Sequence, residues 1–252
     1  MTERPRFSVV IPCYNEAGYL TDTLLSLRKQ DYDGVFEVIV VDNNCTDDTA
    51  GIARDFGARV VAEPVPGVCN ARQRGTEEAR GEIVISADAD TVHGRDWLSR
   101  IDERFRADDG VVAVVGPCVY ADGPRWGRHY GRALFGLVNG AYRLTGRAMY
   151  ASATNIAFRR EAFTGYDTAL TQGGDELDQL RRLRGKGRIV YDHGNPTYTS
   201  GRRLARGFAY NVFVSLPVHY LLTYTVNRVA GRRVLGQAPA FRPEPETLEV
   251  MP

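Results

Sequence analysis

The sequence feature that most limits the fold is a short apolar run followed at once by two aspartates. Residues 82–85 read Glu-Ile-Val-Ile, and Asp88 and Asp90 follow within the next five positions. A buried strand that ends in Asp-x-Asp places two hard oxygen ligands at the edge of a parallel sheet, where Mg²⁺ or Mn²⁺ can be shared with a diphosphate. Alone, the pair also fits a solvated surface turn, so the residues around it decide the interpretation.

Strands and helices alternate through the first half of the chain. Apolar runs at 7–11 and 36–41 predict buried strands, and leucines at helical spacing predict a helix between them that begins near Glu16. Thr46 is predicted to cap the next helix. A strand at 58–61 and a helix after Gly67 follow it, and then comes the strand before Asp88. This order predicts an α/β fold, a Rossmann-like and mostly parallel sheet covered by helices, with right-handed connections.

The second half is less regular. A helix is expected over about 94–106, a strand over 111–115, and a helix near Leu180 that stops before a strand at 188–191. The stretch 126–150, punctuated by glycines and aromatic residues, gives no clear period. Residues after 236 contain several prolines and are expected to form a mobile end.

Composition excludes some partners. The 252 residues are 43% hydrophobic, which is enough for a full core, and the net charge of +1 gives no electrostatic argument for nucleic acid. Four scattered cysteines lack the spacing of a zinc site, and the N-terminus shows no apolar leader. The protein is therefore expected to be cytoplasmic, with reduced thiols.

An uncharged segment near the C-terminus qualifies that expectation. Residues 207–227 contain no Asp, Glu, Lys or Arg, and arginines flank the segment on both sides. Its length approaches the roughly 20 residues that span a bilayer, but Asn211, Pro217 and His219 make it too polar for a span. A buried helix, and an interfacial helix that meets anionic lipid at the inner face of the cell membrane, both remain open.

Candidate ligand-binding residues follow the predicted strands at the sheet edge where parallel strands end. They are Pro12, Tyr14 and Glu16 after the first strand, Asp42 at the end of the second, and Asp88 and Asp90 after the fourth. An aromatic ring that can face a base, a carboxylate that can accept from a base N–H, and a metal-binding pair are thus expected together. Neither a Gly-x-Gly-x-x-Gly turn after the first strand nor a Gly-Lys-Ser/Thr phosphate loop is present in the sequence.

Five ordered segments resemble family 2 glycosyltransferases of the GT-A fold. They are 9–16 (Val-Val-Ile-Pro-Cys-Tyr-Asn-Glu), 40–47 (Val-Val-Asp-Asn-Asn-Cys-Thr-Asp), 67–75 (Gly-Val-Cys-Asn-Ala-Arg-Gln-Arg-Gly), the Asp-x-Asp at 88–90, and 155–160 (Asn-Ile-Ala-Phe-Arg-Arg). The resemblance covers roughly residues 7–204. It implies that Arg72 lies near the donor and that 155–160 forms the acceptor-side turn. Asn43 and Asn44 replace the family's usual second acid and glycine, which leaves Asp42 as the base-recognising carboxylate.

The resemblance also implies a catalytic base. The family commonly carries Glu-Asp-x-Asp-Leu-x-x-Arg-Leu at a helix start, and aligning residues 182–183 places Asp175 and Glu176 on the acid pair with their identities exchanged. Glu176 then takes the position of the base, and either acid could serve. The alternative is that these acids only stabilise the N-terminus of a helix through its dipole. Arg202 and Arg203 lie in a basic turn where related enzymes hold the donor diphosphate, and a solvated helix start is the alternative for that turn.

The resemblance implies inverting, metal-dependent transfer of a sugar from a nucleoside-diphosphate sugar, with UDP expected, to a hydroxyl of a glycan, lipid-linked or small-molecule acceptor. Mn²⁺ or Mg²⁺ would lie on Asp90, with Asp88 holding the ribose or metal waters. The chain then divides into a nucleotide-sugar half (1–92), an acceptor and catalytic half of the same domain (93–204), and a C-terminal hydrophobic helix and tail (205–252). Two other classes remain open, a nucleotidyltransferase and a non-catalytic sugar-nucleotide-binding or membrane-scaffold protein.

Overall fold

A computed structural model describes residues 4–168, 175–230 and 234–235. Its strands are β1 (Phe7–Cys13), β2 (Phe36–Asp42), β3 (Arg59–Ala62), β4 (Ile83–Ser86), β5 (Thr91–His93), β6 (Val111–Val115), β7 (Cys118–Tyr120), β8 (Ile156–Arg159), β9 (Arg188–Tyr191) and β10 (Thr197–Thr199). The helices among them are α1 (Ala17–Arg28), α2 (Thr49–Asp55), α3 (Val68–Glu78), α4 (Trp97–Ala107), α5 (Arg125–Thr145) and α6 (Asp175–Arg184). A C-terminal helix follows over 208–229, in which Asn211–Leu222 is π-helical between α-helical ends Phe208–Tyr210 and Thr223–Val229.

The predicted α/β fold is confirmed by a seven-stranded sheet in the order β3-β2-β1-β4-β8-β6-β9. The pairs β1–β2, β1–β4, β2–β3 and β6–β9 are parallel, and β8 runs antiparallel to both β4 and β6. We expected residues 155–160 to form a turn. That expectation was wrong for residues 156–159, because they form strand β8. The backbone of β8 hydrogen-bonds to β4 on one side and to β6 on the other, and it thereby joins the first half of the chain to the second in one sheet.

The start of α2 also differs from the prediction. The helix begins at Thr49, and the Asp47 carboxylate accepts the Thr49 backbone N–H at 3.1 Å. Thr46 instead donates its backbone N–H to the side-chain oxygen of Asn15 at 2.7 Å. The Thr46 hydroxyl oxygen, which would have to accept a backbone N–H of α2 to act as the cap, instead accepts from the Asn15 side-chain amide at 3.1 Å. These bonds hold the loop after β1 against the loop after β2.

The stretch 126–150, which showed no clear period, contains the 21-residue helix α5. Its buried face includes Gly127, which packs so closely on Leu204 that an added Cβ would lie 2.3 Å from the leucine Cδ1. Phe135 and Val138 continue that face into the core. Glycines in a helix interior lower its propensity, and here they permit close approach of the segment after β10.

A second, three-stranded sheet in the order β5-β10-β7 lies directly after the aspartates. Strand β10 pairs antiparallel with β5, and the backbone N–H of Ser200 donates to the carbonyl of Asp90 at 3.1 Å. This pairing brings the basic turn Arg202–Arg206 to the carboxyl ends of β1 and β4. Residues more than a hundred positions apart in sequence therefore meet at one edge.

The C-terminal helix packs with one side and exposes the other. Asn211 and Thr223 are buried, whereas Phe208 and Phe213 are 51% and 67% exposed. In the part of the chain that the structure covers, no helix has both the length and the apolar character needed to cross a membrane. The flanking residues 231–233 and the proline-containing tail after 236 lie outside the described residues.

Candidate active site

A cavity of about 470 Å³ opens at the carboxyl ends of the central strands. It brings together most of the side chains that the sequence singled out: Pro12, Tyr14, Glu16, Arg72, Asp88, Asp90, Asp175, Glu176, Arg202 and Arg203. Asp42 is not among its lining residues. The cavity therefore unites acids and arginines from the loops after β1 and β4, from α3, from α6 and from the turn after β10.

The Asp-x-Asp loop is held by hydrogen bonds to its backbone and to both carboxylates. The Thr23 hydroxyl donates to the carbonyl of Ala89 at 2.7 Å, and the Thr199 hydroxyl donates to the Asp90 carboxylate at 3.2 Å. Burial, together with the negative charge of Asp88, raises the pKa of Asp90 above its ordinary value. A carboxylate that has lost its hydrating water is stabilised by a cation that binds beside it.

Arg72 joins an acid of the Asp-x-Asp loop to an acid of α6. One of its terminal nitrogens lies 2.5 Å from Asp175 Oδ2 and the other 2.8 Å from Asp88 Oδ1. Although burial alone would lower the pKa of Arg72, Asp88 and Asp175 raise it above its ordinary value. Arg72 is thus a fixed cation, placed by the close packing of α3 on the sheet, where an added Cβ on Gly75 would lie 2.3 Å from Val10 Cγ1.

Glu176 differs from its neighbour Asp175 in its surroundings. It is only 8% exposed, and its Oε2 is buried with no hydrogen-bond partner among the described residues. Burial, and then the charge of Asp175, raise the pKa of Glu176 well above its ordinary value. A carboxyl group that lines the cavity and has a raised pKa is suited to accept a proton near neutral pH.

The basic turn is positioned by Asp122, a residue that the sequence did not single out. Its carboxylate accepts the backbone N–H of Gly201 and the Ser200 hydroxyl. The turn then directs Arg202 into the cavity, where its terminal nitrogens lie 2.7 and 3.0 Å from the two Glu16 carboxylate oxygens. Its Nε forms an ion pair with Asp90 Oδ2 at 3.0 Å.

The loop after β2 uses its polar side chains to build the cavity wall. Asp42 accepts the Cys45 backbone N–H at 2.8 Å. Asn43 is buried, donates to the carbonyls of Glu63 and Val65, and accepts the Gly67 N–H, each at 2.8 Å. Asn44 has a φ of +68°, a left-handed conformation that Asn tolerates and Gly adopts readily.

The donor atoms at Asp88 and Asp90 fit a cation that is shared with a substrate. In the described part of the chain, no three His, Cys, Asp or Glu side chains are grouped as a protein metal site. Mg²⁺ and Mn²⁺ sites of phosphate enzymes commonly use one or two carboxylates, and the substrate phosphates and water complete the coordination. His93 does not line the cavity, because its ring packs 3.9 Å from that of Trp97 and its Nδ1 lies 3.2 Å from the Ser26 hydroxyl.

One wall of the cavity is formed by residues outside those that the sequence assigned to the site. It consists of aromatic, apolar and small polar side chains from β7, α5, the following loop and the C-terminal helix: Cys118, Tyr120, Tyr130, Leu134, Phe135, Tyr150, Asn211 and Ser215. The spacing of Gly127 and Gly131 on one face of α5 was the available signal. It indicates a helix face that packs closely, and the aromatic residues on that helix then border the cavity.

Comparison with known proteins identifies the family. The model of glycosyl transferase family 2 matches residues 8–166, more than half of the chain. The chain belongs to glycosyl transferase family 2. The predicted family is therefore confirmed. The matched region of this family 2 chain extends from β1 through β8 and the loop that follows.

Curated relatives match over shorter stretches. An uncharacterized glycosyltransferase of Bacillus subtilis, YfnE, is 35% identical over 110 residues, which are 42% of this chain and 28% of that protein. Glycosyltransferase AglE of Haloferax volcanii is 35% identical over 103 residues, which are 38% of this chain and 34% of that protein. The family 2 chain thus spans about a third of the length of these relatives.

Solved structures share the fold over most of the chain. The mannosyltransferase PcManGT of Pyrobaculum calidifontis, in complex with GDP-Man and Mn²⁺, superposes with a TM-score of 0.68 and 25% identity over 94% of this chain and 67% of that one. TarS 1-349 of S. aureus, in complex with UDP-GlcNAc, gives a TM-score of 0.62 at 20% identity over 81% of this chain and 61% of that one. These similarities confirm the predicted fold of the family 2 chain.

Proposed function

We propose that this protein transfers a sugar from a nucleoside-diphosphate sugar to an acceptor hydroxyl with inversion at the anomeric carbon. The observation that carries the proposal is the convergence of the Asp-x-Asp loop, Arg72 and Glu176 on one cavity. Membership of family 2 and the GDP-Man complex of the mannosyltransferase support a nucleotide-sugar donor. Glu176 removes the proton of the acceptor hydroxyl as its oxygen bonds to the anomeric carbon, and the bond to the leaving diphosphate breaks on the opposite face.

Asp90, assisted by Asp88, would hold a divalent cation, Mn²⁺ or Mg²⁺. When bound, the cation supplies charge neutralisation for the leaving diphosphate. Arg72 holds Asp88 and Asp175 in fixed positions, and Arg202 and Arg203 face the diphosphate from the basic turn. The mannosyltransferase that shares this fold was solved with Mn²⁺, which supports a cation of this kind.

A panel of nucleotide sugars tests the proposal. Purified protein, Mn²⁺ and each donor are incubated with candidate acceptors, and the released nucleoside diphosphate and the anomeric configuration of the product are measured. Release of a nucleoside diphosphate with an inverted linkage supports the proposal. In a parallel incubation with a nucleoside triphosphate and a sugar phosphate, release of pyrophosphate identifies a nucleotidyltransferase. Nucleotide binding without turnover in either incubation identifies a non-catalytic binding protein.

Tyr14 and Asp42 are proposed to flank the base, with uridine as the nucleoside that the family resemblance implies. We expect Asp42→Ala to weaken UDP binding about 5- to 150-fold, because a lost polar contact to a base edge costs about 1–3 kcal/mol. Isothermal titration with UDP and GDP measures the loss and the base preference. Mn²⁺ affinity is expected to change little.

Asp42→Asn is the matched control, because its amide oxygen can still accept the Cys45 N–H and keep the loop folded. Its NH₂ group then faces a base N–H donor, so this variant should also bind weakly. Normal UDP affinity in Asp42→Asn would show that Asp42 only shapes the loop.

We also propose that the acceptor is presented at an anionic membrane surface. Residues 123–160 and 201–243 contain no Asp or Glu. More than half of the exposed large apolar side chains among the described residues lie on α5, the loop after it and the C-terminal helix, including Leu137, Leu144, Phe213 and Leu222. The two helices meet where Trp126 and Phe208 pack at 5.3 Å, and both line the cavity. An arginine-rich, partly apolar surface beside the cavity suits contact with anionic lipid.

The protein is expected to co-sediment with phosphatidylglycerol vesicles at low salt and to be released by high salt. The triple variant Arg125→Gln, Arg132→Gln, Arg143→Gln removes exposed charges of α5, each worth about 1 kcal/mol near an anionic surface, so affinity should fall about a hundredfold. The control variant Arg28→Gln, Arg54→Gln, Arg80→Gln removes three exposed arginines from other elements. Equal losses in both variants, or no vesicle binding by the unmodified protein, would contradict a specific membrane surface.

A further inference from the structure

Arg202 connects Asp90, which the proposed reaction needs, to the carboxylate of Glu16 in the loop after β1. Its guanidinium reaches both oxygens of Glu16 at 2.7 and 3.0 Å and lies 3.0 Å from Asp90 Oδ2. It also lies over the ring of Tyr19, 4.7 Å from the ring centre. Two of its nitrogens thus hydrogen-bond to Glu16, and the third lies within ion-pair distance of Asp90, where a divalent cation would bind.

The excess of negative charge in the cavity determines what Arg202 can do. Acids outnumber arginines among its lining residues, and Arg72 is already held between Asp88 and Asp175. A diphosphate adds further negative charge, so its binding requires cations that can turn toward it. Arg72 is 5% exposed and fixed, whereas the Arg202 side chain is 25% exposed and extends from a short turn. Of these two arginines, Arg202 has the freedom to change partners.

We propose that Arg202 is a positioning residue that competes with the divalent cation for Asp90 and moves from Asp90 to the donor diphosphate, so that cation and nucleotide bind cooperatively. The proposal rests on the proposed donor site. It goes beyond that site by stating which group pairs with Asp90 before the donor binds and which pairs with it afterwards. A guanidinium binds phosphate oxygens in the same forked geometry that it uses for the Glu16 carboxylate. Its transfer leaves Asp90 free for the cation, and the cation in turn stabilises the diphosphate.

The proposal makes a prediction that a purely structural role for Arg202 does not. Removing Arg202 should strengthen the binding of a cation alone, because the competing ion pair at Asp90 is lost. The same change should weaken the binding of the diphosphate and reduce the effect of nucleotide on cation affinity. Coupling between two ligands of this kind is reciprocal and is commonly fivefold or more.

Mn²⁺ binding to the full chain is measured by the paramagnetic resonance of free Mn²⁺, first with Mn²⁺ alone and then with saturating UDP. The unmodified protein should bind Mn²⁺ at least about fivefold more tightly with UDP present. Arg202→Gln should bind Mn²⁺ alone about fivefold more tightly than the unmodified protein, with a smaller gain from UDP. Arg203→Gln is the matched control, because it removes the same charge from the same turn and leaves the Arg202–Asp90 ion pair in place.

An unchanged Mn²⁺ affinity in Arg202→Gln, or an equal gain in Arg203→Gln, would overturn the proposal. If Arg202→Gln does not fold, Arg202→Lys provides the comparison, because it keeps the charge but cannot bridge both carboxylates with a planar fork. The proposed function fails in a different way. An unmodified protein that binds neither UDP nor GDP, with or without Mn²⁺, contradicts the donor site itself.

Discussion

Glu176→Gln is expected to lower turnover at least about a hundredfold while donor affinity stays nearly unchanged, as for the loss of a general base. The amide has the shape of the carboxyl group but cannot accept the acceptor's proton. Since Glu176 Oε2 has no partner among the described residues, no hydrogen-bonded contact of that atom is lost. Steady-state rates and donor titration separate turnover from binding.

Asp175→Asn provides the control for the neighbouring acid. Asp175 is paired with Arg72, so this variant removes a buried ion-pair partner and should lower the melting temperature. Glu176→Gln should leave the melting temperature unchanged or raise it. A hundredfold loss of turnover in Asp175→Asn, with normal turnover in Glu176→Gln, would reassign the base to Asp175.

The pH profile gives an independent check on Glu176. Burial and Asp175 raise its pKa, so the deprotonated form that can act as a base increases as pH rises through that raised value. We therefore expect kcat/KM to rise with pH along an acidic limb that lies above the ordinary range of a glutamate, about 4.3. The limb should disappear in Glu176→Gln. An acidic limb that persists in that variant would belong to another group.

Asp90→Ala is expected to lower transfer by a factor of about 10²–10³ and to abolish its dependence on Mn²⁺, since one electrostatic contact to developing charge has this size. The fold should survive, because Arg202 keeps its two contacts with Glu16 when Asp90 is removed. Activity is measured with and without a chelator, and thermal melting checks the fold.

Asp22→Ala is the matched control for Asp90→Ala, because Asp22 is an exposed aspartate of α1. It should leave rate, metal dependence and melting unchanged. Full activity of the unmodified protein in chelator would contradict the cation, and full activity of Asp90→Ala would contradict its place on Asp90.

The local pattern of the sequence predicted the elements that carry the Asp-x-Asp side of the cavity. The apolar runs became β1, β2 and β4, and the position of Asp88 and Asp90 after β4 follows from the end of that run. These elements can be predicted because the spacing of apolar residues along the chain reflects the local secondary structure. The ordered motifs also identified the family, which the family match then confirmed.

The long-range partners were decided only by the tertiary structure. The insertion of β8 between β4 and β6, the packing of α5 through Gly127, and the bridge of Arg72 between Asp88 and Asp175 join residues far apart in sequence. The same is true of Arg202 between Glu16 and Asp90. Local propensity contains no information on which distant groups pack together, because that choice depends on burying charge beside its partner and satisfying the backbone of the whole sheet. The sequence by itself determined the chemical groups and the strands that hold them, and the packed sheet determined which group neutralises which.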